Sequence, residues 1–325
     1  MSRVIKFILF CLGLSLLFIL FRQVSFKEVI EQITNANQTF LVLGILSYSI
    51  VIFIRSLKWF ILVKMIDGNI RYNRFFPFYL VNALMGNITP FKSGEATTPF
   101  LFKKYLKIPV GRGFSVVILD RFLELITFVV ILIPVILYIL NKGVENSLIL
   151  LVFKWIFAIV LLILTLLIVV IISRRIAFKI VGLFDFFKKQ SLLKRLLKFI
   201  ERELNIFYEA LPFFKNRGVY QSALPLTLLG WVFDFLAFNF IFSSVFPIYF
   251  MDIVVAQLIN MGASLITFIP GGLGVSEISS VYILNLFGYS IILSTAAIFL
   301  VRILLTGFLL ISGLIGSILI REKNN

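Results

Sequence analysis

The chain has 325 residues, of which 61% are hydrophobic and 38 are phenylalanine. A soluble core cannot absorb that much apolar side chain, so the composition implies an integral membrane protein and excludes a soluble globular one. With no histidine and a single cysteine, Cys11, it also excludes intramolecular disulfides, histidine and multi-cysteine metal sites, and a Ser-His-Asp triad.

Taken in order, residues 1–21 carry Arg3 and Lys6 ahead of an apolar run. The run is long for a signal peptide and lacks an A-x-A cleavage site, so it reads as a retained first transmembrane helix. Residues 38–63 read as a second span, with Arg55, Lys58 and Trp59 near its end as snorkelling and belt residues. Residues 75–107 are broken by proline and glycine. Basic residues flank the segment on both sides (Lys64, Arg71 and Arg74 before it, Lys103, Lys104, Lys107 and Arg112 at its end). It therefore enters and leaves on one face, as a re-entrant hairpin. Residues 113–140 span with Asp120, Arg121 and Glu124 inside, and residues 148–172 span back with Lys154 and Trp155 as outer anchors.

Residues 173–218 form the longest polar section, with eleven basic residues against four acidic ones. Within it Leu193, Leu196, Leu197, Ile200, Leu204, Phe207 and Leu211 recur at helical spacing. This amphipathic helix either lies on the cytoplasmic interface against anionic headgroups or packs on its own bundle. Residues 219–247 span again and carry Asp234. The second broken segment, 253–288, has no basic flank and opens from the outer face. Residues 291–320 make the last span, and Arg321 and Lys323 keep the C-terminus inside. The expected architecture is all-α and polytopic, a single transmembrane domain over 1–325. It has six spanning helices plus two re-entrant hairpins, and both termini are cytoplasmic. The +16 charge falls in alternate loops, which is the positive-inside pattern rather than a nucleic-acid surface.

The two broken segments match. Residues 267–277 read TFIPGGLGVSE and residues 87–95 read NITPFKSGE. Pro90 answers Pro270, Gly94 answers Gly274, and Glu95 answers Glu277. Arg121 follows Glu95 by 26 residues, and Arg302 follows Glu277 by 25. Three spans separate the segments, so 75–140 and 253–320 read as an inverted repeat, the pattern that points to a transporter site. Proline and the glycines, with Asn87, Gly271 and Gly272, supply the turns.

Charges at membrane depth are tolerated only inside protein or beside a water-filled cavity. For Glu95 and Glu277 the plain alternative is helix capping, worth about 0.3–1 kcal/mol. That does not offset the roughly 2.5–3.5 kcal/mol insertion cost of a charge, and it favours a functional role. Arg121 has Glu124 on its own helix face as a pairing partner, and Asp120 next to it. Arg302 has no acid within four residues, so its partner is Glu277, Asp234 or a ligand phosphate. Lys92 reaches a headgroup or snorkels, and Asp234 either pairs or contacts substrate.

The ordered pattern Asn87, Pro90, Gly94, Glu95, Asp120, Arg121, Pro270, Gly271, Gly272, Leu273, Gly274, Glu277 and Arg302 resembles the lysylphosphatidylglycerol synthase transmembrane family, also called flippase-like membrane proteins. The resemblance covers roughly residues 5–320. It implies a helical fold that handles lipids and, in multidomain synthases, the half that moves aminoacylated phosphatidylglycerol between leaflets. The aminoacyl-transferase half of those proteins is a separate soluble domain, and the 46 residues of 173–218 are too few for one. The expectation is therefore a transporter of an anionic or zwitterionic lipid in the cytoplasmic membrane, with no cofactor, no metal and no nucleic-acid partner. Homo-oligomers are left open. The alternative is the membrane subunit of a lipid-modifying transferase working with a soluble partner.

Overall fold

The computed structural model describes residues 15, 25–66, 68–89, 94, 97–142, 147–182, 191–212, 217–266 and 269–322, all helices and their connections, with no strand among them. A short helix α1, Phe26–Thr34, precedes α2, Gln38–Ile66. The first broken segment comprises α3, Tyr72–Ile88, then α4, Thr98–Leu101, which runs into a π-helical turn over Phe102–Leu106. Next come α5, Val110–Asn141, and α6, Ser147–Ile172. The polar section holds α7, Arg174–Gly182, and α8, Ser191–Ala210. The chain returns through α9, Arg217–Ser243, and then α10, Phe250–Ile266, and α11, Val275–Leu286. It ends in α12, Ile291–Val301, a π-helical turn over Arg302–Thr306, and α13, Gly307–Glu322.

Four of these stretches are long and apolar enough to cross a membrane: Gln38–Ile66, Val110–Asn141, Arg217–Ser243 and Ile291–Arg321. Their apolar residues are not all turned inward. Val42, Leu46, Ile50 and Phe53 on α2 are exposed, as are Leu310, Ile311, Leu314 and Ile318 on α13. Stripes of that size suit lipid rather than water. Of the six expected crossings, the one over 1–21 lies outside the described residues apart from Ser15. The one over 148–172 is a helix whose described Leu161, Leu162 and Leu166 are exposed.

By contrast α10, with 17 residues, and α11, with 12, reach only about 25 and 18 Å at 1.5 Å per residue. Neither crosses a hydrocarbon core of about 30 Å. They pack against each other, so together they form one broken element. The first broken segment is less regular than expected. Its second limb is four α-helical residues and a π-turn instead of a half-helix over 96–107.

Small residues set the closest approaches, as they do between membrane helices. A Cβ on Gly44 of α2 would lie 2.6 Å from Ile241 of α9. A Cβ on Gly316 of α13 would lie 2.6 Å from the Pro77 carbonyl of α3. The last helix is thereby seated on the first broken segment.

The amphipathic α8 buries Leu197, Phe207 and Ala210. It packs on the start of α5. There the buried Glu203 carboxylate accepts the backbone N–H of Gly111 at 2.6 Å, satisfying one of the unpaired donors of that helix terminus. Over residues 197–210 the bundle-packing reading therefore holds. Arg202 stays exposed while pairing with Glu203 at 2.6 Å, and Lys198 is exposed beside it.

Candidate functional site

The turn between α10 and α11 is built from glycines in the left-handed region: φ is 60° at Gly271, 65° at Gly272 and 85° at Gly274. Gly272 is also crowded, since a Cβ there would sit 2.5 Å from the Ser264 hydroxyl and 2.8 Å from the Ser264 Cα. Gly272→Ala combines a left-handed L-residue with overpacking. It should lose about 2–4 kcal/mol in a thermal melt in detergent, whereas Gly288→Ala, also at positive φ but in open space, should lose only the backbone part.

The turn aims Glu277 back at its own helix terminus. Oε2 accepts the Gly274 N–H at 2.8 Å and the Ser276 hydroxyl at 3.0 Å. That is the reach-back half of a capping box. Oε1 accepts Arg302 Nε at 2.5 Å, and Arg302 Nη2 pairs with the same oxygen. The remaining contacts of the guanidinium go to the Gly271 carbonyl at 2.9 Å and the Ser276 hydroxyl at 2.9 Å. Arg302 opens the π-turn, a widened helical geometry frequent at functional sites. So Glu277 caps its helix and pairs with Arg302, as one of the three partners expected for that arginine. The pair is asymmetric in exposure: the Glu277 side chain is 2% exposed and that of Arg302 is 28%.

That partial exposure is to a cavity of about 180 Å³. Its wall takes residues from both broken segments. Asn87 and Thr89 come from the end of α3, and Gly271 and Gly272 from the second turn. The second turn closely approaches the end of α3, because a Cβ on Gly271 would lie 3.5 Å from the Asn87 carbonyl. Across the cavity stand Tyr48 and Arg55 of α2 and Asp234 of α9, with Arg55 donating to Asp234 at 3.0 Å. Gln257, Asn260 and Ser264 line it from α10. Of the expected site residues, the cavity brings together Asn87, Asp234, Gly271, Gly272, Glu277 and Arg302. Gly94 is structural. Its N–H donates to the Thr89 hydroxyl at 2.6 Å, and a Cβ there would collide with the Met85 carbonyl at 2.3 Å. Pro90, Lys92, Glu95 and the side chain of Pro270 lie outside the described residues.

Asp120 and Arg121 belong to a second cluster. Lys58 lies between Asp120 at 2.7 Å and Glu124 at 2.5 Å, with its side chain 1% exposed. The other oxygen of Glu124 accepts the Trp231 indole N–H at 2.7 Å, and Arg121 donates to Asp120 at 2.8 Å. One expectation is corrected here. Lys58 is buried in the bundle instead of snorkelling, because α2 runs on to Ile66 and places it two turns inside the helix end. Of the two acids expected beside Arg121, Asp120 is one it pairs with.

A third cluster ties the other end of α5 to the second broken segment. The fully buried Asp252 accepts from Tyr138 at 2.9 Å, Lys142 at 2.5 Å and Tyr289 at 2.8 Å. Lys142 also lies 4.3 Å over the Phe287 ring, a cation–π contact. Burial and the Asp252 carboxylate both raise the Tyr289 hydroxyl above its ordinary value, so it remains a donor at neutral pH.

Sequence reasoning missed Tyr48, Arg55, Gln257, Asn260 and Ser264 as cavity residues. The available signal was spacing on α10. Positions 257, 260 and 264 fall on one helical face, a polar stripe on an otherwise apolar half-helix. Chemically the cavity offers two arginines, each held by one carboxylate, with amide and hydroxyl groups between them. That set suits a charged oxygen-rich group. No group of three potential metal ligands occurs among the described residues.

The sequence has counterparts. The sequence matches the lysylphosphatidylglycerol synthase TM region over residues 3–313. A UPF0104 membrane protein of Methanocaldococcus jannaschii is 26% identical over 293 residues, covering 87% of this chain and 85% of its own. One from Pyrococcus horikoshii is 25% identical over 295 residues, covering 84% of each. One from Methanothermobacter thermautotrophicus is 22% identical over 294 residues, covering 85% of this chain and 84% of its own. The match spans both broken segments and the paired charges between them, and the chain belongs to the lysylphosphatidylglycerol synthase transmembrane-region family.

Proposed function

We propose that this protein moves a phospholipid with an anionic or zwitterionic headgroup, aminoacylated headgroups among them, between the leaflets of the cytoplasmic membrane. The observation that carries the reading is the cavity between the end of α3 and the glycine turn of the second broken segment, where Arg302 and Arg55 are held ready by Glu277 and Asp234. In transport, the phosphate competes with these carboxylates for the guanidinium groups, and the acyl chains stay in lipid. A pre-paired arginine costs less to bury than a free one, and exchanging one anion for another keeps it paired.

The two broken segments act as re-entrant hairpins of an inverted repeat, 75–140 and 253–320, within six crossings. Glu95, Lys92 and Arg121 serve the first half as Glu277 and Arg302 serve the second. The section 173–218 lies on the cytoplasmic side, where the exposed Lys198 and Arg202 of α8 meet anionic headgroups. With Cys11→Ser as background, single cysteines at Asn69, Arg112 and Arg217 should be shielded from an impermeant thiol reagent in intact cells. Cysteines at Tyr249 and Ser290 should label. Labelling at Arg112 without labelling at Asn69 would make the first segment a full crossing and end the inverted repeat.

The function itself is tested by what the protein carries. Native mass spectrometry of protein released from gentle detergent should show a bound phospholipid. Arg302→Gln should lose it, while a substitution on the lipid-facing side of α13, Ile311→Ala, keeps it. Equal lipid retention in both variants would remove the headgroup role of the cavity.

A further inference from the structure

The three polar side chains that α10 turns to the cavity are not equivalent. Asn260 donates its amide to the Ser276 carbonyl at 3.3 Å and to the Ser280 hydroxyl at 3.1 Å. Ser264 donates its hydroxyl to the Asn260 carbonyl at 2.9 Å. Gln257 is only 2% exposed, yet its side-chain oxygen is buried with no hydrogen-bond partner among the described residues. Buried polar atoms are nearly always satisfied, and an exception at a cavity wall points to a ligand. The cations lining the same cavity, Arg302 and Arg55, are already matched by Glu277 and Asp234. An acceptor left over beside two matched arginines asks for a group that donates a hydrogen bond.

We infer that Gln257 determines specificity, by accepting a hydrogen bond from a hydroxyl or ammonium group that the transported headgroup carries next to its phosphate. This rests on the lipid-transport reading above and sharpens it. A headgroup without such a donor enters the same cavity but leaves the Gln257 oxygen desolvated and unpaired. Sites built to hydrogen-bond a substrate reject analogues that lack the bonding group, because the penalty falls on the site.

The test uses two pairs of acyl-labelled lipids in proteoliposomes, each pair matched in net charge. Phosphatidylethanolamine has a donor that phosphatidylcholine lacks. Phosphatidylglycerol has donors that phosphatidylmethanol lacks. The donor-bearing lipid is the smaller of the first pair and the larger of the second, so a steric preference cannot mimic the expected pattern. The wild-type protein should move the donor-bearing member faster in both pairs, by about tenfold or more. Gln257→Met, close in size, should bring both ratios near one by slowing the donor-bearing lipid. Gln257→Glu, which keeps an acceptor, should retain the preference for phosphatidylethanolamine. Folding of each variant is checked by thermal melting.

Lipid movement with no preference in either pair would overturn the inference and leave lipid transport standing. So would a preference that Gln257→Met leaves unchanged, or opposite preferences in the two pairs. Failure to move any of the four lipids would overturn the transport reading and the inference with it.

Discussion

Glu277→Gln should lower stability by about 3 kcal/mol, and Arg302→Gln should lower it by less. Removing one partner of a buried ion pair typically costs about 3–5 kcal/mol, because the other charge stays buried and unpaired. Arg302 is 28% exposed to the cavity, which places the loss at the lower end of that range. Glu277→Gln leaves the guanidinium facing only the Gly271 carbonyl, the Ser276 hydroxyl and a neutral amide. Arg302→Gln leaves the carboxylate with the Gly274 N–H and the Ser276 hydroxyl, which stabilise it in part. The double variant Glu277→Gln/Arg302→Gln has no unpaired charge and should recover most of the loss in a thermal melt. If the double variant loses the sum of the single losses, the two side chains act independently and the pair contributes nothing as a pair.

Lys58→Met should be the most damaging single substitution in the bundle. It leaves Asp120, which is fully buried, and Glu124 on adjacent turns of α5 without the ammonium that lies between them. Arg121 and Trp231 retain one bond each to these acids, so the expected loss is about 3–5 kcal/mol, or failure to accumulate in the membrane. The double variant Lys58→Met/Glu124→Gln removes one charge of each sign, keeps the Asp120–Arg121 pair, and should restore folded yield as measured by fluorescence-detected size exclusion. A double variant no better than Lys58→Met would mean that the cluster holds the helices by geometry rather than by charge balance.

The sequence carried the broken elements openly. Pro270 and the glycines around it could not continue a helix, and a glutamate closing the motif could not sit in lipid. The structure places that glutamate as a cap and as the partner of Arg302, one of the three partners the chain allowed. What stayed hidden depended on partners distant in sequence. Arg55 meets Asp234 across 179 residues and Lys58 meets Glu124 across 66. Near the end of an apolar run, both cations look like snorkelling residues, because hydropathy does not reveal which face of α2 is turned inward. In sequence Asp252 is a single acid just ahead of the second broken segment, with no charged neighbour to mark it. Its ligands Tyr138, Lys142 and Tyr289 come from two other elements. Gln257 carried a signal only as one of the polar stripe 257, 260 and 264 on α10, and a short stripe of neutral polar residues is far weaker than a buried charge.

The double variant of Glu277 and Arg302 that should be stable gives the most direct test of the central claim, that the Arg302 cavity carries a headgroup across the bilayer. Proteoliposomes containing an acyl-labelled phosphatidylglycerol are treated with an impermeant quencher, and the fraction of label that becomes accessible is followed in time. The wild-type protein should expose nearly all of the label, while Glu277→Gln/Arg302→Gln, folded and reconstituted to the same level, should expose only the outer-leaflet half found in protein-free vesicles. A double variant that exposes the label as fast as the wild-type protein would contradict the account and leave Glu277 and Arg302 as a structural ion pair.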